Sequence, residues 1–505
     1  MKVLAGIAVG LLLLIGVMGI RVWQFEPASV TLTPPLEGSD LDQDVLAERL
    51  SQAIQFPTIS HMEGEQTDPK VWAAFHAFLE KSFPLTYSNL ERENVSELSL
   101  LFRWKGSNPD LKPILLMSHQ DVVPVDAATL DQWSYPPFSG TVAKGVIYGR
   151  GAVDIKSGVV GILEAVEYLL SQGHVPERDV YLAFGHDEEI GGEAGAMRIA
   201  EALKSRGLSF QWILDEGGSI VTDGIIPGVE RPVALVGIAE KGYVSLRLTA
   251  NAVGGHSSMP PKHTALGVIA QALVDLEQRP FPANMAYSKS LFEQIGPAMG
   301  GLEKWVFANM WLTEPLVERI LSSANTTNAS IRTTTAVTMA QGSSKDNILP
   351  TQASAVVNFR IMPGETPETV LEYVTQVIAN PDITVTMLEG FGNEPSEVSL
   401  SDNDSFEWIK QAIYRVTQDD ELIVAPYLVT AGTDAKHYTG LSDSIYRFAF
   451  NRFTPDTLQR MHGIDEQIKV SDYVDVVRFY RELLLGDSTE RADREADSVA
   501  DNRAE

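Results

Sequence analysis

Apolar runs with strand-like spacing alternate along the chain with runs that have the spacing of helices. Residues 113–117 are apolar and strand-like, residues 158–171 carry apolar positions at helical intervals, and residues 180–184 are strand-like again. Strands that alternate with helices of ordinary length are typical of α/β folds in which much of the sheet is parallel. The pattern predicts a three-layer α/β domain with a mostly parallel sheet.

The pattern changes near residue 240. Residues 243–249 and 353–361 alternate between apolar and polar positions, and a long stretch with helical spacing covers residues 264–278. Alternation of period two is typical of a half-buried strand. We expect a separate α+β unit over residues 240–390, inserted into a main domain formed by residues 41–239 and 391–485.

The first 25 residues contain an apolar run from Val3 to Ile20 between Lys2 and Arg21, followed by Trp23. The run is just long enough for a spanning helix, tryptophan suits the membrane interface, and no small-residue cleavage site follows. We predict an uncleaved membrane anchor with the remaining chain outside the cytoplasm. The alternative is a signal peptide, whose removal would leave a secreted protein.

Two further segments lack sustained periodicity. Residues 26–40 are rich in Pro, Thr and Ser and are predicted to be a linker. Residues 486–505 are mostly charged or small and are predicted to be a disordered acidic tail.

Composition restricts the function. With 39 Lys and Arg against 67 Asp and Glu, the net charge is −28, which would repel a nucleic-acid backbone. We therefore expect no nucleic-acid partner. The chain has no cysteine, so any bound metal must be held by nitrogen and oxygen.

Candidate metal ligands follow predicted strand ends, where the sites of open α/β sheets gather. They are His119, Asp154, Glu188 and Glu189, Asp215 or the adjacent Glu216, and His462. Asp121, two residues after His119 on an extended segment, points the same way and is predicted to orient the imidazole. Such a set suits two divalent cations that share one carboxylate and activate one water.

Each candidate has a simpler interpretation. Asp154 opens a helix and would serve as its N-cap, the pair Glu188 and Glu189 would form a solvated loop, and His462 would be a surface histidine. Two competing mechanisms lack their motifs, because the sequence contains neither HExxH nor G-x-S-x-G.

Several short segments in one order resemble the M20 metallopeptidase family over roughly residues 41–485. They include Gly149-Arg150-Gly151, Asp187-Glu188-Glu189, Gly255-His256-Ser257-Ser258 and His462-Gly463. Residues 182–189, 254–261, 331–335 and 357–360 most resemble the branch that contains carboxypeptidase S and the N-acyl amino acid synthase/hydrolases. Two departures from the family pattern are Ile155 and Ala431.

The resemblance implies a role for each candidate. One zinc would be held by His119, Asp154 and Asp215, and the other by Asp154, Glu189 and His462. Glu188 would be the general base, with Asp121 behind His119. The inserted unit would be a lid or dimerisation domain, whose His256 stabilises the oxyanion, and a homodimer would form through it. Substrate binding would involve Arg360, Asn347, Gly432 and Thr433.

The expected reaction is hydrolysis, or reversible formation, of an amide bond next to a free carboxylate. The substrate would be an N-acyl amino acid or a short peptide, and the alternative within the same class is a carboxypeptidase or dipeptidase. Cobalt or manganese would also fit the ligand set. A non-catalytic relative of the same fold is the alternative from another class, but such a protein is expected to lose Glu188 or a ligand.

Overall fold

A computed structural model of the chain describes residues 2–27, 29–30, 32–35, 41–61 and 68–501, with side chains omitted at 389, 391 and 487–501. The strands, in chain order, are β1 (Glu91–Val95), β2 (Ser99–Trp104), β3 (Ile114–His119), β4 (Val142–Ala143), β5 (Val146–Tyr148), β6 (Val180–Gly185), β7 (Ile213–Asp215), β8 (Ser219–Val221), β9 (Val233–Glu240), β10 (Gly242–Asn251), β11 (Gly255–His256), β12 (Thr334–Gln341), β13 (Ile348–Leu349), β14 (Gln352–Ile361), β15 (Ile383–Asn393), β16 (Ile423–Val429), β17 (Ile445–Arg447), β18 (Arg452–Phe453) and β19 (Gln467–Lys469).

The helices are α1 (Lys2–Gln24), α2 (Gln43–Ile54), α3 (Pro69–Ser82), α4 (Pro84–Asn89), α5 (Lys156–Ser171), α6 (Ala196–Ser205), α7 (Ala265–Gln278), α8 (Ala286–Ile295), α9 (Gly301–Ala308), α10 (Met310–Leu321), α11 (Asn325–Ile331), α12 (Pro367–Ile378), α13 (Asp404–Thr417), α14 (Pro455–Leu458) and α15 (Val470–Asp501).

A ten-stranded mixed sheet forms the centre of the main domain, in the order β1-β2-β6-β3-β7-β17-β9-β8-β18, with β16 also paired to β9. Its middle, β6-β3-β7-β17, is parallel. The α/β prediction is confirmed, but the sheet is less uniformly parallel than expected, since β1, β2 and β6 are antiparallel neighbours. A short turn joins β1 to β2, and so short a connection permits only antiparallel pairing.

Alternating side chains of the middle strands build two separate cores. On β3, Ile114 and Leu116 join the core beneath α5 and α15, whereas Leu115 and Met117 join the core beneath α6. Successive residues of a strand point to opposite faces, so a strand covered on both sides is apolar throughout. The sheet therefore lies between two helical layers, and its strand ends remain free to carry polar groups.

A second sheet lies within the segment predicted as an insertion. Its order is β12-β14-β10-β15, all neighbours are antiparallel, and α7 and α12 cover one face. Strand β14 alternates buried and half-buried positions, as its sequence pattern predicts. The helices α8 to α10 do not join this core; they pack beside β9 and β16 of the central sheet. The boundaries at residues 240 and 390 stay a prediction.

The N-terminal helix α1 packs against the main body through α9. The carbonyl of Met18, a buried residue, accepts a hydrogen bond from Asn309 Nδ2 over 3.4 Å, and Glu26 pairs with Lys304 over 2.9 Å. Further along the chain, Thr33 in the predicted linker accepts hydrogen bonds from Arg415 and Gln418. The described part of the predicted linker therefore lies along the body, and residues 28, 31 and 36–40 fall outside the described residues.

The last helix continues beyond residue 486, where the composition predicts a disordered tail. Its backbone is helical as far as Asp501. Alanine, glutamate and arginine are good helix formers, and extending an existing helix avoids the cost of nucleation. Residues 502–505 lie outside the described part, and the predicted disorder stays a prediction.

Candidate metal centre

One carboxylate, that of Asp154, lies between two imidazoles. Its Oδ1 is 3.1 Å from Nε2 of His119, and its Oδ2 is 2.8 Å from Nε2 of His462. His119 ends β3, Asp154 precedes α5, and His462 lies in the loop before β19. Each oxygen therefore faces a different ring nitrogen, which is the arrangement of a carboxylate shared by two cations.

The acidic pair that follows β6 adds one side chain on each side of this carboxylate. Glu189 Oε1 lies 3.4 Å from His462 Nε2, and Glu188 Oε2 lies 4.0 Å from His119 Nε2. A short 3-10 turn over Glu188–Ile190 bends the chain at this point. The turn lets both adjacent acids face the Asp154 carboxylate, whereas on a continuing strand they would point to opposite faces of the sheet.

Potential ligand atoms form two overlapping groups. In the first, one atom each from His119, Asp154 and Glu189 lie within 4.8 Å of one another; in the second, the residues are His119, Glu188 and Glu216. Nitrogen and carboxylate oxygen at this spacing suit Zn²⁺ or a related transition-metal ion. The chemistry of this donor set fits a metal centre.

Asp121 lies behind His119. Nδ1 of the imidazole is 3.0 Å from the Asp121 carbonyl oxygen and 3.3 Å from its carboxylate. The same carboxylate accepts hydrogen bonds from the backbone N–H groups of Glu188 and Glu189. Burial is the largest single influence and opposes ionisation of this carboxyl, but the hydrogen bond and charge of His119, together with hydrogen bonds from Ser60 and Glu189, lower its pKa. Asp121 thus fixes both the ring and the acidic turn.

The loop that carries Asp154 is held by a buried acid from a distant segment. Glu466 Oε1 accepts from the N–H groups of Gly151, Val153 and Asp154, and Oε2 pairs with Arg150 over 2.5 Å. The Asp154–Ile155 peptide bond within this loop is cis. Sequence reasoning missed Glu466, whose only signal was an acid four residues after His462.

At the end of β7 the two neighbouring acids point to different partners. Asp215 Oδ2 accepts a hydrogen bond from the N–H of Ala435 over 2.7 Å, whereas Glu216 belongs to the second ligand group. The structure therefore does not bring Asp215 into either group. The sequence left the choice between these acids open, and only the resemblance favoured Asp215.

Electrostatics at the centre reflect an excess of buried negative charge. Burial raises the pKa of Glu188 to about 8, with nearby carboxylates adding to the effect. Burial followed by repulsion from Asp154 and Glu188 raises the pKa of Glu216 well above its usual range. Hydrogen bonds to Asp154 and Glu189 raise the pKa of His462 to about 10. Divalent cations would relieve this repulsion, as opposite charges do.

A second buried cluster lies beside the centre. Thr433 donates through both its N–H and its hydroxyl to Glu240 Oε2, which also accepts from Arg447. Asp434 is buried next to Gly192, where φ is +75° and a Cβ would collide with the Asp434 carboxylate. A Cβ on Gly432 would meet only open space. The Glu240 carboxylate thus fixes the position of Thr433, while Gly432 borders open space.

Three predicted site residues lie apart from these groups, on the inserted segment. His256 is exposed on β11, where its Nδ1 accepts from the N–H of Ser258, and Asn347 is exposed nearby. Arg360 on β14 stacks over Tyr243 at 4.8 Å. Among the described residues, no hydrogen bond or ion pair joins these three to the imidazoles and carboxylates of the centre.

Comparison with known proteins matches residues 115–486 to the profile of peptidase family M20/M25/M40. The chain is 38% identical to a probable carboxypeptidase S-like 2 of Dictyostelium discoideum, covering 95% of this chain and 93% of that protein. It is 37% identical to the human N-fatty-acyl-amino acid synthase/hydrolase PM20D1, covering 94% and 93%. Its fold is similar to that of a metallo-carboxypeptidase from Sulfolobus solfataricus, with a TM-score of 0.60, 18% identity and coverage of 88% and 99%.

Proposed function

The chain belongs to the M20 peptidase family and is a metallohydrolase, and on that premise we propose that it cleaves an amide bond next to a free carboxylate. The substrate is an N-acyl amino acid or a short peptide, and the same site would also catalyse the reverse reaction, formation of the amide bond. The relatives named above support both substrate classes, since one is a carboxypeptidase S-like protein and another acts on N-fatty-acyl amino acids.

The observation that carries this proposal is the position of Asp154 between His119 and His462, one oxygen facing each ring. A structural N-cap would instead direct its carboxylate at the first N–H groups of its helix. Helix α5 has no side-chain cap of this kind. The carboxylate is therefore free to serve as the bridge of a two-cation site.

We assign one cation to His119, Asp154 and Glu216, and the other to Asp154, Glu189 and His462. Glu216 replaces Asp215 in this assignment, because the Asp215 carboxylate is already engaged by Ala435. The native ions are proposed to be two Zn²⁺. When bound, they supply Lewis acidity toward a water molecule and the substrate carbonyl.

Glu188 is the proposed general base. Its carboxylate lies 4.0 Å from His119 and is held by a turn that Asp121 fixes through two backbone N–H groups. From this position it takes a proton from the attacking water and returns it to the nitrogen of the departing amine. Such proton transfers contribute on the order of 10²–10⁴-fold to a rate.

The inserted segment supplies the remaining groups. His256 is proposed to donate to the oxyanion of the tetrahedral intermediate, and Arg360 with Asn347 to bind the free carboxylate, for which a guanidinium is well shaped. Gly432 and Thr433 are proposed to contact the substrate. A homodimer through this segment would bring an exposed His256 to a partner's centre, and the exposed edge strand β12 supports such pairing.

Helix α1 is the proposed membrane anchor of an extracytoplasmic enzyme. It spans 23 residues and is long and apolar enough to cross a membrane. A signal peptide has no need of a partner in the mature protein, whereas Met18 of α1 is buried and its carbonyl accepts a hydrogen bond from Asn309. These contacts favour retention of α1 over its removal.

The proposal is tested with the Glu188→Gln variant. We expect hydrolysis of N-fatty-acyl amino acids or dipeptides to fall by on the order of 10²-fold or more, because the amide cannot accept the proton. Metal content should stay at that of the wild type. Turnover is measured by product chromatography and metal by elemental mass spectrometry.

Glu193→Gln is the matched control, since Glu193 is an exposed acid of the same loop. It should leave both readings unchanged. Near-normal turnover in Glu188→Gln would refute the role of Glu188, and chelator-insensitive hydrolysis by the wild type would refute the metal centre. The ratio of rates on the two substrate series decides between acylase and dipeptidase action.

A further inference from the structure

Helix α10 presents an apolar surface that no described part of the chain covers. Thr313, Val317 and Leu321 face inward and are buried. The outward apolar side, here called the α10 face, consists of Leu312, Pro315, Leu316 and Ile320, and Trp311 in the first turn is also exposed. Leu316 is 49% exposed and Ile320 is 53% exposed. Contiguous exposed apolar residues on one side of a helix mark an interaction surface.

Two of the three charged residues of this helix lie away from the α10 face. At 100° per residue, Glu314 and Glu318 fall on the side opposite Leu316, and Trp311 lies next to Glu318. Glu318 lies 3.6 Å from Arg332. Arg319 alone lies among the apolar residues. A long arginine side chain can extend along apolar surface and keep its charge at the level of lipid head groups.

The α10 face lies next to the helix that we propose as the anchor. One stripe of α1, Leu14, Met18 and Val22, is covered or partly covered, while the rest of α1 is exposed. Asn309, which precedes α10, donates to the carbonyl of Met18. Arg21 lies 5.9 Å from the ring of Trp311. The start of α10 is therefore at the level of the last turns of α1.

The depth of this contact can be compared with that of a membrane surface. The apolar run of α1 ends at Ile20, and with a rise of 1.5 Å per residue Met18 lies about 3 Å and Leu14 about 9 Å inside that end. Amphipathic helices that lie in the interface bury their apolar side by about 5–10 Å. Trp23 and Trp311, both more than half exposed, then fall where interfacial tryptophans gather.

We infer that the α10 face is a membrane-docking surface, immersed in the outer part of the same bilayer that α1 spans. Leu302, 71% exposed at the start of the neighbouring α9, is a further exposed apolar residue of this region. The inference rests on the proposed anchor. The lipid is zwitterionic, because a protein of net charge −28 is repelled by an anionic surface.

The absence of cysteine allows a direct test, since any introduced thiol is the only one in the chain. The full chain is placed in phosphatidylcholine vesicles with a nitroxide spin label at one of three positions. Leu316→Cys reports the α10 face, Gly10→Cys reports the middle of α1, and Ser205→Cys on the exposed end of α6 reports water. Collision of each label with oxygen and with a water-soluble nickel chelate is measured, and retained hydrolysis confirms folding.

We expect the labels at Leu316 and Gly10 to collide with oxygen and to lose collision with the nickel chelate, while the label at Ser205 collides with the chelate. If Gly10 is in lipid and Leu316 behaves like Ser205, the anchor stands and the docking surface is wrong. If Leu316 is shielded from both colliders, protein covers it, as in a second copy, and the inference is also wrong. A Gly10 label outside lipid, or lost with a cleaved peptide, refutes the anchor itself.

Discussion

At the scale of single residues, Asp215 and Glu216 show how adjacent acids take different tasks. Asp215 ends β7 and its carboxylate accepts from Ala435, a residue 220 positions away. Glu216 is one residue beyond the strand and is free to turn toward His119 and Glu188. The difference arises from a tertiary hydrogen bond, so spacing along the sequence does not reveal it.

Substitution separates the two acids. We expect Glu216→Gln to lower bound metal toward one equivalent per chain, because an amide is a much weaker ligand than a carboxylate. Asp215→Asn should keep its metal, since the amide oxygen can still accept from Ala435. Metal is measured by elemental mass spectrometry after exhaustive dialysis. Loss of metal in Asp215→Asn with full retention in Glu216→Gln would reverse the assignment.

At the scale of elements, the strand ends of the sheet explain how much was predictable. Apolar runs located β3 and β6, and polar residues at or just after their ends located His119, Glu188 and Glu189. The loop before α5 was less accessible to prediction, because its conformation depends on Glu466, more than 300 residues later. Packing of α8 to α10 on the central sheet was also not predictable, since helical periodicity gives an apolar side but not its partner.

The same loop gives an element-scale prediction. Glu466→Gln should lower the free energy of unfolding by about 3 kcal/mol, the usual cost of leaving one member of a buried ion pair without its partner. Because the loop carries Asp154, metal retention should also weaken. Urea unfolding and metal analysis provide the measurements, with the exposed Asp456→Asn as control. Equal stability of the two variants would argue against this role.

At the scale of the whole molecule, the connection between the two sheets contains a buried cation. Lys241 lies between β9 and β10, and its Nζ donates to the carbonyl of Arg332 over 2.6 Å. Burial lowers the pKa of Lys241 to about 7. Between that value and the ordinary lysine pKa the unfolded chain binds more protons, so folding stability should rise with pH over this range and be lowest below pH 7.

Lys241→Met should flatten this dependence. The loss of one proton changes the free energy of unfolding by at most about 1.4 kcal/mol per pH unit in this window. Some pH dependence should remain in the variant, because burial also lowers the pKa of Lys156 to about 7. Urea midpoints of wild type and variant are compared at pH 7, 8 and 9. Parallel pH profiles would show that Lys241 does not titrate as expected.

The docking on the body of α1 through Met18, and of Phe25 and Glu26 directly after it, has a kinetic consequence if that helix spans a bilayer. A domain held against its anchor in this way cannot rotate freely on a flexible linker, so it keeps one orientation relative to the membrane. Compounds dissolved in the leaflet would then reach the enzyme by lateral diffusion. Two substrates that bind the metal centre equally well would then be turned over at different rates, because the one that partitions more strongly into lipid reaches a higher local concentration.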